Sequence, residues 1–264
     1  MVLLQSKENI AHLKWAMVYN ARVMKELEKA LRGYRCLVFI DLEGTQVSHE
    51  MIELGAYKCY LKDDLTVKKV FKPIRVYVKA KGRVGPIVTK LTGITDLKLK
   101  KDGITFREAQ QKLRKYVARD WEKCLFVSYG NQDGKIFLAS GERNMDASML
   151  EARFVAHHMF DLCDFIARFV KPDADGVYSL TNCLKVFEVD FQGQAHDAAA
   201  DAFNLLLLYQ AFLERKDILA REYKKRLTCL HHLPLPIRYV CDELAKGNTI
   251  TPEAYDAIVE KSLS

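Results

Sequence analysis

The chain has 264 residues, of which 49% are apolar and 28% charged, with a formal net charge of +7. That composition excludes a disordered or fibrous chain, and the length suffices for a core that needs neither metal nor disulfide. It contains no apolar run of about 18 residues, the minimum for a membrane-spanning helix.

The apolar patch of the N-terminus, MVLLQSKENIAHLKW, is too short for a signal peptide and no small-residue cleavage site follows. The expectation is a cytosolic protein. Ile10, Leu13, Met17, Ala21, Met24, Leu27 and Leu31 recur at helical spacing and predict a helix over 6–32, with Ser6 as its cap and Gly33 as its stop. This segment, residues 1–33, packs on the domain that follows or on a partner helix.

Arg35 to Asp41 is a nearly continuous apolar run of strand length, the pattern of a central strand covered on both faces. Further strands are expected over 51–61 and 66–79, the second interrupted at Pro73. Gly82, Gly85 and Pro86 mark a loop. A helix capped by Thr105 is expected over 106–117 and a short buried strand over 124–128. A helix from Asp133 to about Ala139 follows. Residues 153–162 fit a strand or a helix start. Short helical spacing covers 180–187, and Asp197 to Leu213 reads as a long Ala- and Leu-rich helix. Strands followed by alternating helices and strands predict an α/β domain with a mixed sheet over 34–214. Residues 215–264 read as a helical extension. Pro234 and Pro236 punctuate it, and Thr251-Pro252-Glu253 opens its last helix.

The seven cysteines, at 36, 59, 124, 163, 183, 229 and 241, form no CxxC and read as reduced core thiols. Cys229 with His231 and His232 lacks the paired partners of a four-ligand zinc site. The charge is uneven. Lys58 to Lys115 holds 17 Lys and Arg against 5 Asp and Glu, a local excess of 12 that leaves −5 elsewhere. Such a stretch suits a phosphate-backbone partner or a solvated lysine surface.

Asp41 and Glu43 stand two apart at the C-terminal end of the first strand, so both point to one face. This is where ligands bind in α/β sheets. Two crowded carboxylates call for a hard divalent cation such as Mg²⁺ or Mn²⁺. In Gln194-Ala-His-Asp-Ala-Ala-Ala-Asp201, Asp197 fits a helix cap. His196 then stands just outside the helix, and Asp201 falls one turn inside it. Histidine is well suited to take a proton near neutral pH. In Ser128-Tyr-Gly-Asn-Gln-Asp133 a further acid follows a strand.

This ordered set resembles the DEDDh family of 3′-to-5′ exonucleases, which have an RNase H-like fold. Leu91-Thr-Gly-Ile-Thr95 and Glu50-Met-Ile-Glu-Leu-Gly-Ala56 also match that family. The resemblance covers about residues 35–214. It implies two Mg²⁺ or Mn²⁺ ions held by Asp41, Glu43, Asp133 and Asp201, with Asp41 bridging them and His196 as general base. It implies release of nucleoside 5′-monophosphates from single-stranded 3′ ends. Leu42, Gly44 and Thr45 flank these ligands, and Leu91, Thr92 and Ile94 match the family's segment that touches the terminal nucleotide, so the resemblance implies that all six bind substrate. Tyr-Gly-Asn-x-Asp is similar to the version in RNA-processing members, which favours RNA modestly over DNA. The rivals are a proofreading or repair exonuclease attached to a polymerase and a silent nucleic-acid binder with this fold. The terminal helices could hold a protein partner or a second copy.

Overall fold

The computed structural model describes residues 22–172, 176–228 and 233–263. The first part of the predicted N-terminal helix and the Cys229, His231, His232 group lie outside the described residues. Residues 22–30 are helical (α1), and Gly33 follows at φ 76°, the left-handed conformation that ends helices easily at glycine. Val23, Leu27 and Leu31 are buried, so α1 packs on the domain.

The sheet contains β1 (Cys36–Gly44), β2 (Met51–Leu61), β3 (Val67–Val70), β4 (Ile74–Tyr77), β5 (Cys124–Ser128) and β6 (Met159–Asp161). Its order is β3-β2-β1-β5-β6. β1 is antiparallel to β2 and parallel to β5. The expected third strand is two short ones, because Pro73 breaks the run. β3 pairs with β2 over 59–61 and β4 pairs with it over 53–56.

The helices are α2 (Pro86–Thr92), α3 (Asp96–Asp102), α4 (Phe106–Val117), α5 (Gln132–Arg143), α6 (Met149–His157), α7 (Leu162–Ile166), α8 (Leu180–Val186), α9 (Ala198–Glu214), α10 (Lys216–Thr228), α11 (Leu235–Ala245) and α12 (Pro252–Leu263). α4 and β5 stand at the predicted residues, and Thr105 with Glu108 forms a reciprocal cap on α4. The ambiguous 153–162 segment is the end of a helix followed by a three-residue strand. Gly85 and Pro86 open a helix instead of a loop, with proline at the first helical position.

Two apolar layers cover the sheet. Leu37 and Phe39 of β1 face one core with Leu125, Val127 and the inner sides of α1, α8 and α9. Cys36, Val38, Ile40 and Leu42 face the other, with Phe106, Leu113, Ile136 and Val155. This two-residue alternation carries the strand to Asp41 and Glu43. They continue the Leu37–Phe39 series and therefore share the face that α9 covers. Ile218 and Leu219 of α10 complete that core, whereas the side chains of α11 are half-buried or exposed. None of the described helices is long and apolar enough to cross a membrane.

Candidate active site at the end of the central strand

The first core ends where the alternating face of β1 turns from Phe39 to Asp41 and Glu43. β5 accompanies β1 only as far as Phe39, opposite Val127. Beyond that point the Leu42 N–H has lost its strand neighbour, and it donates to Asp133 Oδ1 at 2.8 Å. Asp133 lies in the first turn of α5, whose cap position is Asn131. It is therefore no helix cap. Its buried side chain reaches across to β1 and sets a third carboxylate behind the first two.

The fourth acid arrives with α9. Gly55 lies opposite Asp41 in the β1–β2 register. A Cβ at Gly55 would stand 2.2 Å from the carbonyl carbon and oxygen of Ala198, so the absent side chain lets the start of α9 lie directly on β2. Gly55→Ala is expected to cost about 3 kcal/mol, since rigid backbone must retreat. Urea denaturation measures it, and an unchanged midpoint would contradict this contact.

Asp197 caps α9, accepting from the N–H groups of Ala199 and Ala200 at 3.1 Å each. Arg75 fastens that cap to the sheet. Its Nε bonds Glu53 Oε1 at 2.5 Å and its Nη2 meets Asp197 Oδ2 at 2.6 Å. Glu53, itself buried, accepts from the Ala198 N–H at 3.3 Å. The spacing of residues gave no signal for this Glu53–Arg75–Asp197 group, although Glu53 stands in the quoted Glu50–Ala56 segment.

The clamp holds the turn before α9 in place. His196 there has φ 64°, an uncommon conformation for a residue with a side chain. Its N–H donates to Asp201 Oδ2 at 2.8 Å, and its Nδ1 is 3.9 Å from Glu43 Oε1. One ligand atom from each of Glu43, His196 and Asp201 lies within 4.8 Å of the others. The structure thus brings together all five predicted residues, with His196 half exposed at the mouth and Asp133 buried at the rear.

The acids crowd one another. Loss of solvent raises the Asp41 carboxyl well above the usual range, and Asp133, Asp201 and Glu43 raise it further. Glu43 is pushed up to about 8, first by burial and then by Asp201 and Glu53. Burial takes Asp133 to about 7 against the lowering Leu42 hydrogen bond. Burial takes Asp201 to about 6 against the lowering His196 contacts. A carboxyl raised in the folded state stabilises the fold below its ordinary range, and this contribution is lost as pH climbs through the raised value. The melting temperature of the metal-free protein should therefore fall between about pH 5 and pH 8.5, and millimolar Mn²⁺ should reverse most of the fall at the alkaline end. A melting temperature that rises over that window would contradict the crowding.

The other predicted residues lie at the end of β1 and in or just after α2. Leu42 is buried in the second core, and a Cβ on Gly44 would meet Ile136 Cδ1 at 3.0 Å. Thr45 is buried, and its Oγ1 accepts from the Glu50 N–H at 2.9 Å. Glu50 in turn accepts from the N–H groups of Lys81 and Gly82, both at 2.9 Å, which ties this loop to the one before α2. Thr92 accepts from the Ile94 N–H at 3.0 Å, and Ile94 is buried against Ile52, Val84 and Leu99. Leu91 alone of the six presents a large exposed apolar side chain; Val47, just after Thr45, and Ile87, one turn before Leu91, are also exposed.

The RNase T exonuclease family model matches residues 38–209, most of the chain and all five site residues. No curated protein matches it significantly. Among solved structures, the nuclease domain of 3′hExo, a DEDDh member bound to rAMP, is 20% identical. That match covers 69% of this chain and 92% of that one, with a TM-score of 0.56. A 3′-exonuclease recognising a histone mRNA stem-loop is 17% identical over 69% of this chain and 64% of its own, at TM-score 0.54. Exonuclease I of E. coli with a dT13 oligonucleotide is 18% identical at TM-score 0.54. The match covers 76% of this chain but 47% of that one. Likeness at these identities speaks for the fold, an RNase H-like mixed sheet between helices. The chain belongs to the RNase T exonuclease family and has the DEDDh arrangement of four acids and a histidine.

Proposed function

We propose that this exonuclease works in the 3′-to-5′ direction on single strands, depends on a divalent metal, and releases nucleoside 5′-monophosphates. The observation that carries the reading is the convergence of Asp41, Glu43, Asp133, Asp201 and His196 at one end of the sheet. The donor set fits hard cations. Four carboxylates crowd one end of the sheet, their mutual repulsion is strong, and oxygen donors of this kind suit Mg²⁺ or Mn²⁺. Asp41, Glu43 and Asp201 would hold the ions, with Asp133 behind them. Ions bound there would neutralise the cluster and supply Lewis acidity to a phosphodiester. His196, half exposed at the mouth, would take the proton of the attacking water at its imidazole. Asp201 holds the backbone of that residue, and Arg75 holds the cap that follows it.

Leu91 offers an apolar surface for the terminal base, and stacking of that kind tolerates any sequence. Gly44, Thr45, Thr92 and Ile94 support the two loops that frame it. The Tyr129-Gly-Asn-x-Asp133 motif favours RNA modestly. The likeness to folds solved with rAMP and with an mRNA stem-loop agrees with it, while the fold solved with a DNA oligonucleotide keeps DNA within reach.

The test is whether purified protein shortens a 5′-labelled oligonucleotide with Mg²⁺ or Mn²⁺ and stops in EDTA, on matched RNA and DNA strands. Cutting of circular strands, or equal rates with and without metal, would overturn the reading. A 3′-phosphate would bring further negative charge beside four carboxylates, at a cost of several kcal/mol. Strands ending in a 3′-phosphate should therefore be digested at least about 100-fold more slowly than those ending in a hydroxyl. Equal rates would mean that the terminus is not read.

A further inference from the structure

At the end of the sheet opposite the acids, β1 and β5 begin and β2 ends. The surface there opens into a cleft of about 540 Å³. Arg32, Arg35, Lys68 and Lys123 line it against two acids, Asp120 and Glu122. Asp120 is already neutralised from beneath. The buried Lys58 Nζ meets its Oδ2 at 2.6 Å, and the Tyr60 hydroxyl donates to the same oxygen at 2.6 Å. Arg35 donates to both oxygens of Glu28, at 2.8 and 3.0 Å, yet its Nε is buried with no hydrogen-bond partner. Arg32, Lys68 and Lys123 have no ion pair among the described residues. Three uncompensated cations thus face Glu122 alone, beside Arg35. That balance favours an anion with several acceptor oxygens.

The cations do not stop at the cleft. Lys68, Lys69 and Lys72 are exposed along the free edge formed by β3 and the turn after it. Arg75 follows on β4 and ends at Asp197, beside His196. Lysines on a sheet edge also block pairing with another chain. That duty accounts for Lys69 and Lys72, but it needs neither a cleft nor Arg32 and Lys123.

We infer that this cleft is a remote phosphate-backbone site, holding the substrate strand upstream of the 3′ end that is being cut. The inference rests on the nucleic-acid reading above. Seven steps of β1 separate Cys36 from Glu43, roughly 23 Å at about 3.3 Å per residue. A stacked strand covers that distance with about seven nucleotides at roughly 3.4 Å each. Short products therefore lose this hold, and long strands keep it.

The test uses the Asp41→Asn protein, so that strands survive, and 5′-labelled single strands of three and fifteen nucleotides read by fluorescence anisotropy. The longer strand should bind at least about tenfold more tightly. Lys68→Glu with Lys123→Glu should remove most of that advantage and lower the salt slope for the long strand by about 1.4, at roughly 0.7 per phosphate contact. Lys68→Gln with Lys123→Gln, which removes both contacts without reversing charge, should lower the salt slope by about the same 1.4 while keeping more of the affinity, and thermal melting checks that each variant folds. A length advantage and salt slope that survive both double substitutions would return Lys68 to edge protection and overturn the inference. Failure of the wild-type protein to shorten the long strand with metal would count against the exonuclease reading instead.

Discussion

Asp41→Asn is expected to leave a folded protein whose turnover of a labelled strand falls by at least about 10³-fold, the loss of several kcal/mol of catalytic charge stabilisation. Asn keeps the size and shape of the side chain and removes the charge. Asp41 stands between Asp133, Asp201 and Glu43, so the change takes one carboxylate from the centre of the set that would hold cations. It also relieves the crowding. Without metal at pH 8 the variant should therefore melt at a higher temperature than the wild type, and Mn²⁺ should raise its melting temperature less. Activity and stability then move in opposite directions. A residue that merely braces the fold would lose both together. Near wild-type turnover, or melting and activity that fall in step, would refute the assignment.

The two cores explain why so much of this site was legible in the chain. Alternation along Cys36–Gly44 is strict, so the face of Asp41 and Glu43 follows from the face of Leu37 and Phe39 without any tertiary information. Likewise Asp197 announces the start of α9, which fixes where His196 and Asp201 fall relative to one turn. What stayed hidden depends on contacts between distant segments. Glu53, Arg75 and Asp197 form one clamp from three parts of the chain, and none carries a local signal for the others. Asp133 reads locally as a helix opener, and only the loss of the β5 neighbour beside Leu42 shows why it turns to β1. α2 and α3 have seven residues each, too few for a helical period to stand out, so the segment around Gly85 and Pro86 reads as a loop. That difference changes the reading of Leu91-Thr-Gly-Ile-Thr95. Leu91 projects from a helix, Gly93 ends it at φ 70°, and Ile94 anchors the turn in a small core.

His196→Ala is expected to lower kcat by about 10²- to 10⁴-fold while Mn²⁺ affinity changes little. The two effects separate because of where the histidine stands. Its backbone, not its ring, supplies the hydrogen bond to Asp201, and alanine retains that N–H. The cap at Asp197 and its clamp to Arg75 are likewise untouched, so Asp201 should keep its place. What disappears is the imidazole at the mouth of the cluster, 3.9 Å from Glu43, the group placed to accept a proton from water. Strain adds a control. At φ 64° glycine is at ease and alanine is not, so His196→Gly should fold at least as well as His196→Ala and still lack the base. If both variants lose turnover equally, the ring is the missing element. Turnover close to wild type in both variants would assign the proton transfer to another group, with Glu43 the nearest alternative. A glycine variant that recovered wild-type turnover would show that the turn, and not the imidazole, is what the reaction requires.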